Sequence, residues 1–157
     1  MQKALFALLT ALLIGLFSPP SRAQAAECNA TVDTLNAAGI KYNTHRPTVW
    51  SVDLKRNNIG NMRVILSCDN DSEILVTFVI VAKKTNIRKT MEFMDAVAHA
   101  NQTYDYVKCG LDKDDDLFVR IDFPMRLLDS QEMKAIVDQV ADAADALFPS
   151  VKQFVAR

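Results

Sequence analysis

Apolar residues in this chain follow two periods, one typical of strands and one typical of helices. The stretch ILVTFVIVA at 74–82 is apolar almost throughout, which predicts a central strand covered on both faces. In LFVRIDF at 117–123 apolar and polar residues alternate, so Val119, Ile121 and Phe123 should face one way and Phe118, Arg120 and Asp122 the other. Further strands are predicted at 48–54, 62–68 and 104–111.

Two helices are predicted before the last quarter of the chain. Residues 27–38 place apolar side chains at helical spacing, and Gly39 is a typical helix stop before a polar link at 39–47. Residues 86–101 form the second helix, with Thr85 or Asn86 as its N-cap. Its apolar stripe consists of Ile87, Met91, Met94 and Ala98.

The last helix has the clearest signals. Asp129 and Glu132 have the N-cap and N3 spacing of a capping box, and an apolar stripe runs from Met133 to Phe148. Proline cannot continue the backbone hydrogen bonds of a helix, so Pro149 should end it. The remaining residues, 150–157, are expected to form a loosely packed tail.

The predicted order is α-β-β-β-α-β-β-α. Strands linked by short turns and interrupted by helices indicate an α+β fold, with one antiparallel sheet packed by helices. No repeat or linker divides the sequence, so residues 26–157 are expected to form a single domain.

The N-terminus is interpreted as a signal peptide spanning residues 1–25. Lys3 precedes an apolar run at 4–17, and Ala23-Gln24-Ala25 offers a small-x-small cleavage site. The apolar run is too short for a membrane anchor, since a hydrocarbon core of ~30 Å needs about 20 residues. We therefore expect an exported protein, periplasmic or secreted, with no membrane span after cleavage.

The charge of the chain argues against a nucleic-acid partner. The full sequence has 18 basic and 19 acidic residues; cleavage after Ala25 removes two basic residues and no acidic one, so the net charge moves from −1 to −3. A protein that binds a phosphate backbone needs a basic excess, which this chain lacks.

Three cysteines, Cys28, Cys68 and Cys109, remain after cleavage. Their spacing fits neither a zinc site nor a C-x-x-C redox motif, and in an oxidising compartment they could form one disulfide. If helices and strands alternate in direction, Cys28 and Cys109 lie at the same end of the fold, which favours their pairing. A long link after the first helix could reverse that order, and three free thiols also remain an alternative.

The stretch GLDKDDDL at 110–117 raises the question of a calcium loop. An EF-hand would need glycine at loop position 6 and glutamate at position 12, where this chain has Leu117 and Phe123. Asp112, Asp114 and Asp116 are also what a solvated hairpin turn prefers. We interpret the stretch as a turn, and the sequence predicts no metal or other cofactor.

No catalytic motif is present. The chain lacks G-x-S-x-G, a glycine-rich phosphate loop and H-E-x-x-H, and His45 and His99 have no partner at metal-ligand spacing. A Cys–His pair formed only in the folded chain remains an alternative. No residue is therefore assigned a catalytic role.

Two groups of charged residues need an explanation. Asp138, Asp142 and Asp145 fall on one face of the last helix and are interpreted as a solvated face. A basic cluster at the start of the second helix is unfavourable with the helix dipole, so carboxylates from elsewhere in the fold, or from a partner, should offset it. This cluster consists of Lys83, Lys84, Arg88 and Lys89.

The outer face of the sheet is a candidate binding surface. Phe118 and Arg120 should point away from the helices that cover the inner face. An aromatic sheet face is covered by a second subunit, used to bind a partner, or covered by the second helix of the same chain. These alternatives stay open.

Residues 99–145 resemble the YbjN family, whose members are similar in fold to the class I chaperones of type III secretion. The resemblance rests on the acidic turn between two strands and on an R-x-D-x-P-x-R-L-L motif before an amphipathic helix. The motif residues here are Arg120, Asp122, Pro124, Arg126, Leu127 and Leu128. The resemblance implies a compact α+β domain, often dimeric and without known catalytic residues, that holds a protein segment by sheet-edge pairing and apolar grooves.

We therefore predict a non-enzymatic, exported interaction module, chaperone-like or regulatory, that forms a homodimer and binds another envelope or secreted protein. The alternatives are a small-molecule binder or small enzyme with a pocket between helix and sheet, and a purely structural envelope protein. Six residues are predicted to bind the partner: Phe118, Arg120, Arg126, Lys83, Lys84 and Arg88.

Overall fold

The computed structural model describes residues 23–156. Residues 1–22, most of the predicted signal peptide, lie outside this range. Three helices pack on a single six-stranded sheet. The helices are α1 (Ala23–Ala37), α2 (Met91–Thr103) and α3 (Ser130–Val151). The strands are β1 (Asn43–Arg46), β2 (Val49–Lys55), β3 (Asn61–Asp69), β4 (Ile74–Ala82), β5 (Lys108–Leu111) and β6 (Leu117–Pro124).

The sheet is antiparallel throughout, in the order β1-β2-β3-β4-β6-β5. The predicted α+β class is therefore confirmed. The strand β1 was missed, because its four residues are all exposed and show no apolar alternation. The strand β5 is shorter than the predicted 104–111, since Tyr106 takes a φ of 64° that a strand cannot contain.

All three helices cover one face of the sheet. Helix α3 lies across β3, β4 and β6, while α1 and α2 flank it. Its inward side chains, including Val140 and Ala144, are fully buried against the sheet. None of the described helices is both long and apolar enough to cross a membrane.

The opposite, outer face carries no helix of the described chain. The prediction that β4 is covered on both faces was therefore wrong. Leu75 and Val79 are buried on the helix side, whereas Val76, Phe78 and Ile80 on the outer side are only half-buried. Side chains of neighbouring strands partly bury the outer face even without a helix. An apolar run alone therefore does not distinguish a strand with helices on both faces from a strand with helices on one face.

The apolar stripe predicted for the second helix was also wrong. Thr90 caps α2, with its side-chain oxygen accepting a hydrogen bond from the Phe93 amide at 3.2 Å, so the helix begins at Met91. Its buried residues are Phe93, Val97 and Ala100. Met91 and Met94 remain 74% and 43% exposed, respectively.

Helix α3 begins at the predicted cap, Asp129, but Glu132 does not complete the predicted capping box, and the helix ends later than predicted. One carboxylate oxygen of Asp129 accepts the Gln131 and Glu132 amides at 2.8 and 2.9 Å. The helix continues through Pro149 to Val151, although proline leaves the carbonyl of Asp145 without its helical donor. The side-chain amide of Asn58 donates to that carbonyl at 3.2 Å, which replaces the missing hydrogen bond.

The C-terminal tail is packed rather than loose, contrary to prediction. Phe154 is buried and contacts Phe93 edge-on, with ring centroids 5.9 Å apart. The amide of Ala156 donates to the Asn86 carbonyl at 2.8 Å, and Val155 forms an isolated β-bridge with Ile87. The tail thereby fixes the connection between β4 and α2.

The disulfide joins Cys28 to Cys68, not to Cys109, so the favoured pairing was wrong. The missed strand explains the error, because one additional strand after α1 reverses the direction of every later strand. Cys68, at the end of β3, then lies beside the N-terminal part of α1. Cys109 is free and buried in β5.

Candidate functional site

Phe118 and Arg120 lie on the outer face of the sheet, as predicted. The Arg120 guanidinium sits over the Phe118 ring at 5.8 Å from its centroid, and its Nε lies 2.8 Å from Asp122 Oδ1. Lys108 Nζ also contacts Asp122, at 2.7 Å. Burial raises the pKa of Asp122, but hydrogen bonds from Lys108 and Arg120 outweigh it and hold the pKa below its usual value. This carboxylate is therefore already occupied by two cations.

The basic cluster and the acidic turn neutralise each other. Lys83 Nζ lies 2.6 Å from Asp116 Oδ2, while Lys84 and Lys89 reach Asp115 at 3.0 and 2.7 Å. Hydrogen bonds from Lys89 and Lys84 lower the pKa of the Asp115 carboxyl. Carboxylates from elsewhere in the fold thus offset the cluster, as the sequence suggested.

The stretch GLDKDDDL is a turn, which confirms the interpretation made from the sequence. Asp112 Oδ1 accepts the amides of Asp114 and Asp116, both at 2.9 Å, and Asp115 takes a φ of 66°. Across residues 23–156 no three metal-ligating side chains converge in a way that could hold an ion.

The six residues predicted to bind a partner do not form one surface. Lys83, Lys84 and Arg88 lie where β4 leads into α2, with the Arg88 guanidinium 5.8 Å from the centre of the Phe154 ring. Arg126 is exposed beyond the opposite end of β6. Their role in partner binding stays a prediction.

A groove of about 910 Å³ opens between α3 and the adjoining edge of the sheet. We call it the α3 groove. Its volume is in the range of ~300–1,000 Å³ typical of ligand sites. It is lined by Tyr106, Lys108, Ile121, Asp122, Phe123, Pro124, Leu127, Asp129, Glu132, Ala135, Ile136 and Gln139.

Two large side chains on the groove are exposed. Tyr106 is 86% exposed and Leu127 is 53% exposed. Tyr106 also has a φ of 64°, a conformation that costs a bulky residue about 1–3 kcal/mol. Asp115 and Glu73 share this conformation in turns, but neither presents an aromatic ring.

Hydrogen bonds to neighbouring residues hold the backbone segments that carry the two exposed side chains. Gln139 of α3 donates from Nε2 to the Asp105 carbonyl at 3.1 Å, which fixes the segment carrying Tyr106. Leu127 belongs to a short 3₁₀ turn, Met125–Leu127, and the Met125 amide donates to the Glu73 carbonyl at 3.0 Å. The groove is therefore preorganised, which lowers the entropic cost of binding.

The charges around the groove differ between its two walls. On the sheet wall, Lys108 is paired with Asp122. On the helix wall, Asp129 caps α3, whereas Glu132 makes no side-chain ion pair or hydrogen bond with the described residues. The helix wall is thus acidic and lacks a cation.

Both edges of the sheet are protected against pairing with another strand. At the β5 edge, the side chain of Asn101 donates to the Cys109 carbonyl and accepts the Cys109 amide, both at 2.8 Å. At the other edge, β1 is four residues long, irregular between Thr44 and Arg46, and followed by Pro47. Short, bulged or blocked edges of this kind disfavour β-augmentation.

Two nucleophilic side chains, Ser51 and Cys109, are poorly placed for catalysis. Ser51 Oγ lies 2.8 Å from His45 Nε2, but Ser51 is fully buried. Burial also raises the pKa of the Cys109 thiol to about 11, so it stays protonated and unreactive at neutral pH. A pocket between helix and sheet does exist; of its three carboxylates, Asp122 is an ion-pair partner, Asp129 is a helix cap, and Glu132 has no serine, threonine, cysteine or histidine beside it in the groove lining.

Sequence reasoning raised a pocket between helix and sheet as an alternative, but none of its six candidate site residues lines this groove. The one available signal was the apolar cluster Met125, Leu127 and Leu128 after Pro124, which neither the strand period nor the helix period requires. The exposure of Tyr106 had no signal, because it depends on backbone conformation and on a contact with Gln139.

One protein family matches the chain over residues 34–153, under the description "YbjN: Putative bacterial sensory transduction regulator". This range extends well beyond the 99–145 segment that carried the resemblance in the sequence. Among curated proteins, none matches the chain.

Several solved structures share the fold at low sequence identity. The ExsC–ExsE complex is 12% identical with a TM-score of 0.56, over 79% of this chain and 92% of that chain. The ExoU–SpcU complex from the type III secretion system of Pseudomonas aeruginosa is 10% identical with a TM-score of 0.56, over 77% and 97%. The Yersinia pestis type III secretion chaperone SycH, in complex with a fragment of YscM2, is 16% identical with a TM-score of 0.52, over 77% and 98%. The chaperone-like fold predicted from the sequence is confirmed.

Proposed function

Because the chain belongs to the YbjN family and has the fold of type III secretion chaperones, we propose that it is an exported, non-enzymatic protein-interaction module. Its partner is another envelope or secreted protein, and a segment of that partner lies in the α3 groove. The three structural relatives reported above were each solved with a bound protein, and one of them, SycH, is described as a type III secretion chaperone in complex with a fragment of YscM2.

The observation that carries this proposal is the exposure of Tyr106 and Leu127 on a preorganised groove. Aromatic and large apolar side chains held in water by a fixed backbone are typical of binding surfaces. Both sheet edges are protected, so a groove is a better site than edge pairing for an added segment.

Two features of the chain support export. The apolar run at 4–17, followed by small residues, has the order of a signal peptide. The disulfide between Cys28 and Cys68 is of a kind that persists in oxidising compartments and is rare in the cytosol.

Site-specific photo-crosslinking tests the partner and the groove together. A benzophenone amino acid replaces Leu127 in one variant and Lys113, exposed in the acidic turn, in a control variant. In intact cells we expect position 127 to yield an adduct with one envelope or secreted protein and position 113 to yield none. Adducts at neither position, or the same adducts at both, would contradict the proposal.

A further inference from the structure

The α3 groove combines apolar surface with an acidic helix wall that is paired with no lysine or arginine of the described chain. Its apolar part consists of Ile121, Phe123, Pro124, Ala135 and Ile136, with Tyr106 and Leu127 exposed beside them. An apolar segment alone would fill this surface but leave the helix wall without a counter-charge.

The acidic wall has one carboxylate, Glu132, whose side chain has no ion-pair or hydrogen-bond partner among the described residues, although its charge, like that of Asp129, complements the dipole of α3. Asp129 is engaged by two backbone amides at the start of α3, and its charge also complements the helix dipole. Glu132 makes no such hydrogen bond and faces the same groove. The one cation in the groove lining, Lys108, is already paired with Asp122.

The exposed ring of Tyr106 favours the same ligand chemistry. A lysine or arginine over the face of an aromatic ring is attracted by the ring quadrupole, and this attraction adds to that of nearby carboxylates. Two different features of one groove, an aromatic ring and an acidic helix wall, therefore both select a cation.

We propose that the groove recognises a partner segment in which large apolar side chains alternate with lysine or arginine. The apolar side chains pack on the floor of the groove, and the cation is held by Tyr106 and by the acidic wall at Glu132. This inference rests on the proposed function and adds the chemistry of the segment.

Two short fluorescent peptides with the same apolar residues test whether the groove selects positively charged side chains. One carries arginine and lysine at its polar positions, and the other carries glutamate and aspartate. We expect the cationic peptide to bind about fivefold more tightly by fluorescence anisotropy, and the difference to shrink at high salt. Equal binding, or tighter binding of the acidic peptide, would overturn the inference while leaving the groove itself in place. Binding of neither peptide, together with no adduct at position 127, would overturn the proposed function as well.

Matched variants place the binding site. Glu132→Lys should weaken the cationic peptide about fivefold, whereas Gln131→Lys, on the same helix but outside the groove lining, should change it less than twofold. Equal losses in the two variants would contradict recognition at Glu132.

The conformation of Tyr106 allows a test that separates binding from stability. Glycine adopts a positive φ without strain, so Tyr106→Gly should fold with an unchanged or higher melting temperature while losing binding of the cationic peptide. A variant that melts normally and binds as well as the original chain would contradict the role of the tyrosine.

Discussion

At the residue scale, Asp145 joins two parts of the chain that are 87 residues apart in sequence. Its Oδ1 accepts the amides of Asn58 and Ile59 at 2.7 and 2.8 Å, and its Oδ2 accepts the Asn58 side chain at 3.1 Å. The turn between β2 and β3 is thereby attached to α3, beside the carbonyl that Pro149 leaves free.

Replacing Asp145 with alanine should lower the free energy of unfolding by about 2 kcal/mol, because it leaves the part-buried amides of Asn58 and Ile59 without their acceptor. Urea denaturation measures this loss. Asp142→Ala is the control, since Asp142 pairs with Arg56 but its side chain is 66% exposed, and we expect a loss below about 1 kcal/mol. Similar losses in both variants would contradict the role given to Asp145.

The pKa shifts of two carboxyls predict how the protein responds to acid. Burial raises the pKa of Asp145, but the amides of Ile59 and Asn58 outweigh it, and the pKa of Asp122 is likewise lowered by Lys108 and Arg120. Both groups therefore bind protons more weakly in the folded chain than in the unfolded chain, where aspartate titrates near 3.8. Their stabilisation is present above that pH and lost as pH falls through the folded pKa.

We expect the melting temperature to stay constant between about pH 7 and 5 and to fall below about pH 4. Asp145→Ala should fall less steeply, because it lacks one of the groups that titrate. A steeper fall of the melting temperature with decreasing pH in the variant than in the original chain would contradict this prediction.

The acidic stripe of α3 shows where residue-level prediction ends. Its spacing indicated one helix face correctly, but that face is not simply solvated: Asp138 and Asp142 hold Arg56, and Asp145 is buried. The spacing of carboxylates on a helix is the same whether water or a distant turn covers them. The cap at Asp129 was predictable because all its contacts are within one helical turn.

At the element scale, the long and strongly patterned segments were predictable and the short polar strand was not. The bounds of β4 agree with the prediction, whereas β1 contains only exposed, polar residues. The missed strand β1 led to the wrong disulfide prediction. One additional strand reverses the direction of all later elements, so Cys68 and Cys109 each move to the other end of the sheet. The error was therefore topological and did not come from the chemistry of cysteine.

Peptide mapping without reduction should find Cys28 linked to Cys68 and Cys109 free. Closing a loop across a sequence separation of 40 should stabilise the fold by up to about 4 kcal/mol through the unfolded chain. Reduction should therefore lower the urea midpoint of the original chain and leave a Cys28→Ser, Cys68→Ser double variant unchanged. A bridge involving Cys109 would contradict the structure.

The register of α2 gives another test at this scale. The sequence contains two apolar sets at helical spacing, and only the position of the Thr90 cap decides which one is buried. Phe93→Ala should cost about 3–5 kcal/mol, whereas Met91→Ala should cost less than about 0.5 kcal/mol. Thermal or urea unfolding distinguishes the two, and the reverse order would restore the stripe predicted from the sequence.

At the scale of the whole molecule, the predicted homodimer has a candidate interface. Met91, Met94 and Ala98 form an exposed stripe on α2, and a two-fold axis would pack this stripe against its own copy. Met94→Lys should therefore shift the protein to monomer in analytical ultracentrifugation, while Gln153→Lys, at an exposed position of the packed tail, should not. A monomeric original chain at all concentrations would contradict the homodimer.

The position of α3 in the chain has a consequence for how the protein is made. The helix that lies across β3, β4 and β6 follows all six strands in the sequence, so the central part of the inner face stays uncovered until α3 has been synthesised. Strands with one apolar face unprotected gain little by pairing early. A chain threaded N-terminus first through a narrow translocation channel would therefore remain extensible until its final helix emerged. Folding would then be completed on the far side of the membrane, where the thiols of Cys28 and Cys68 can be oxidised.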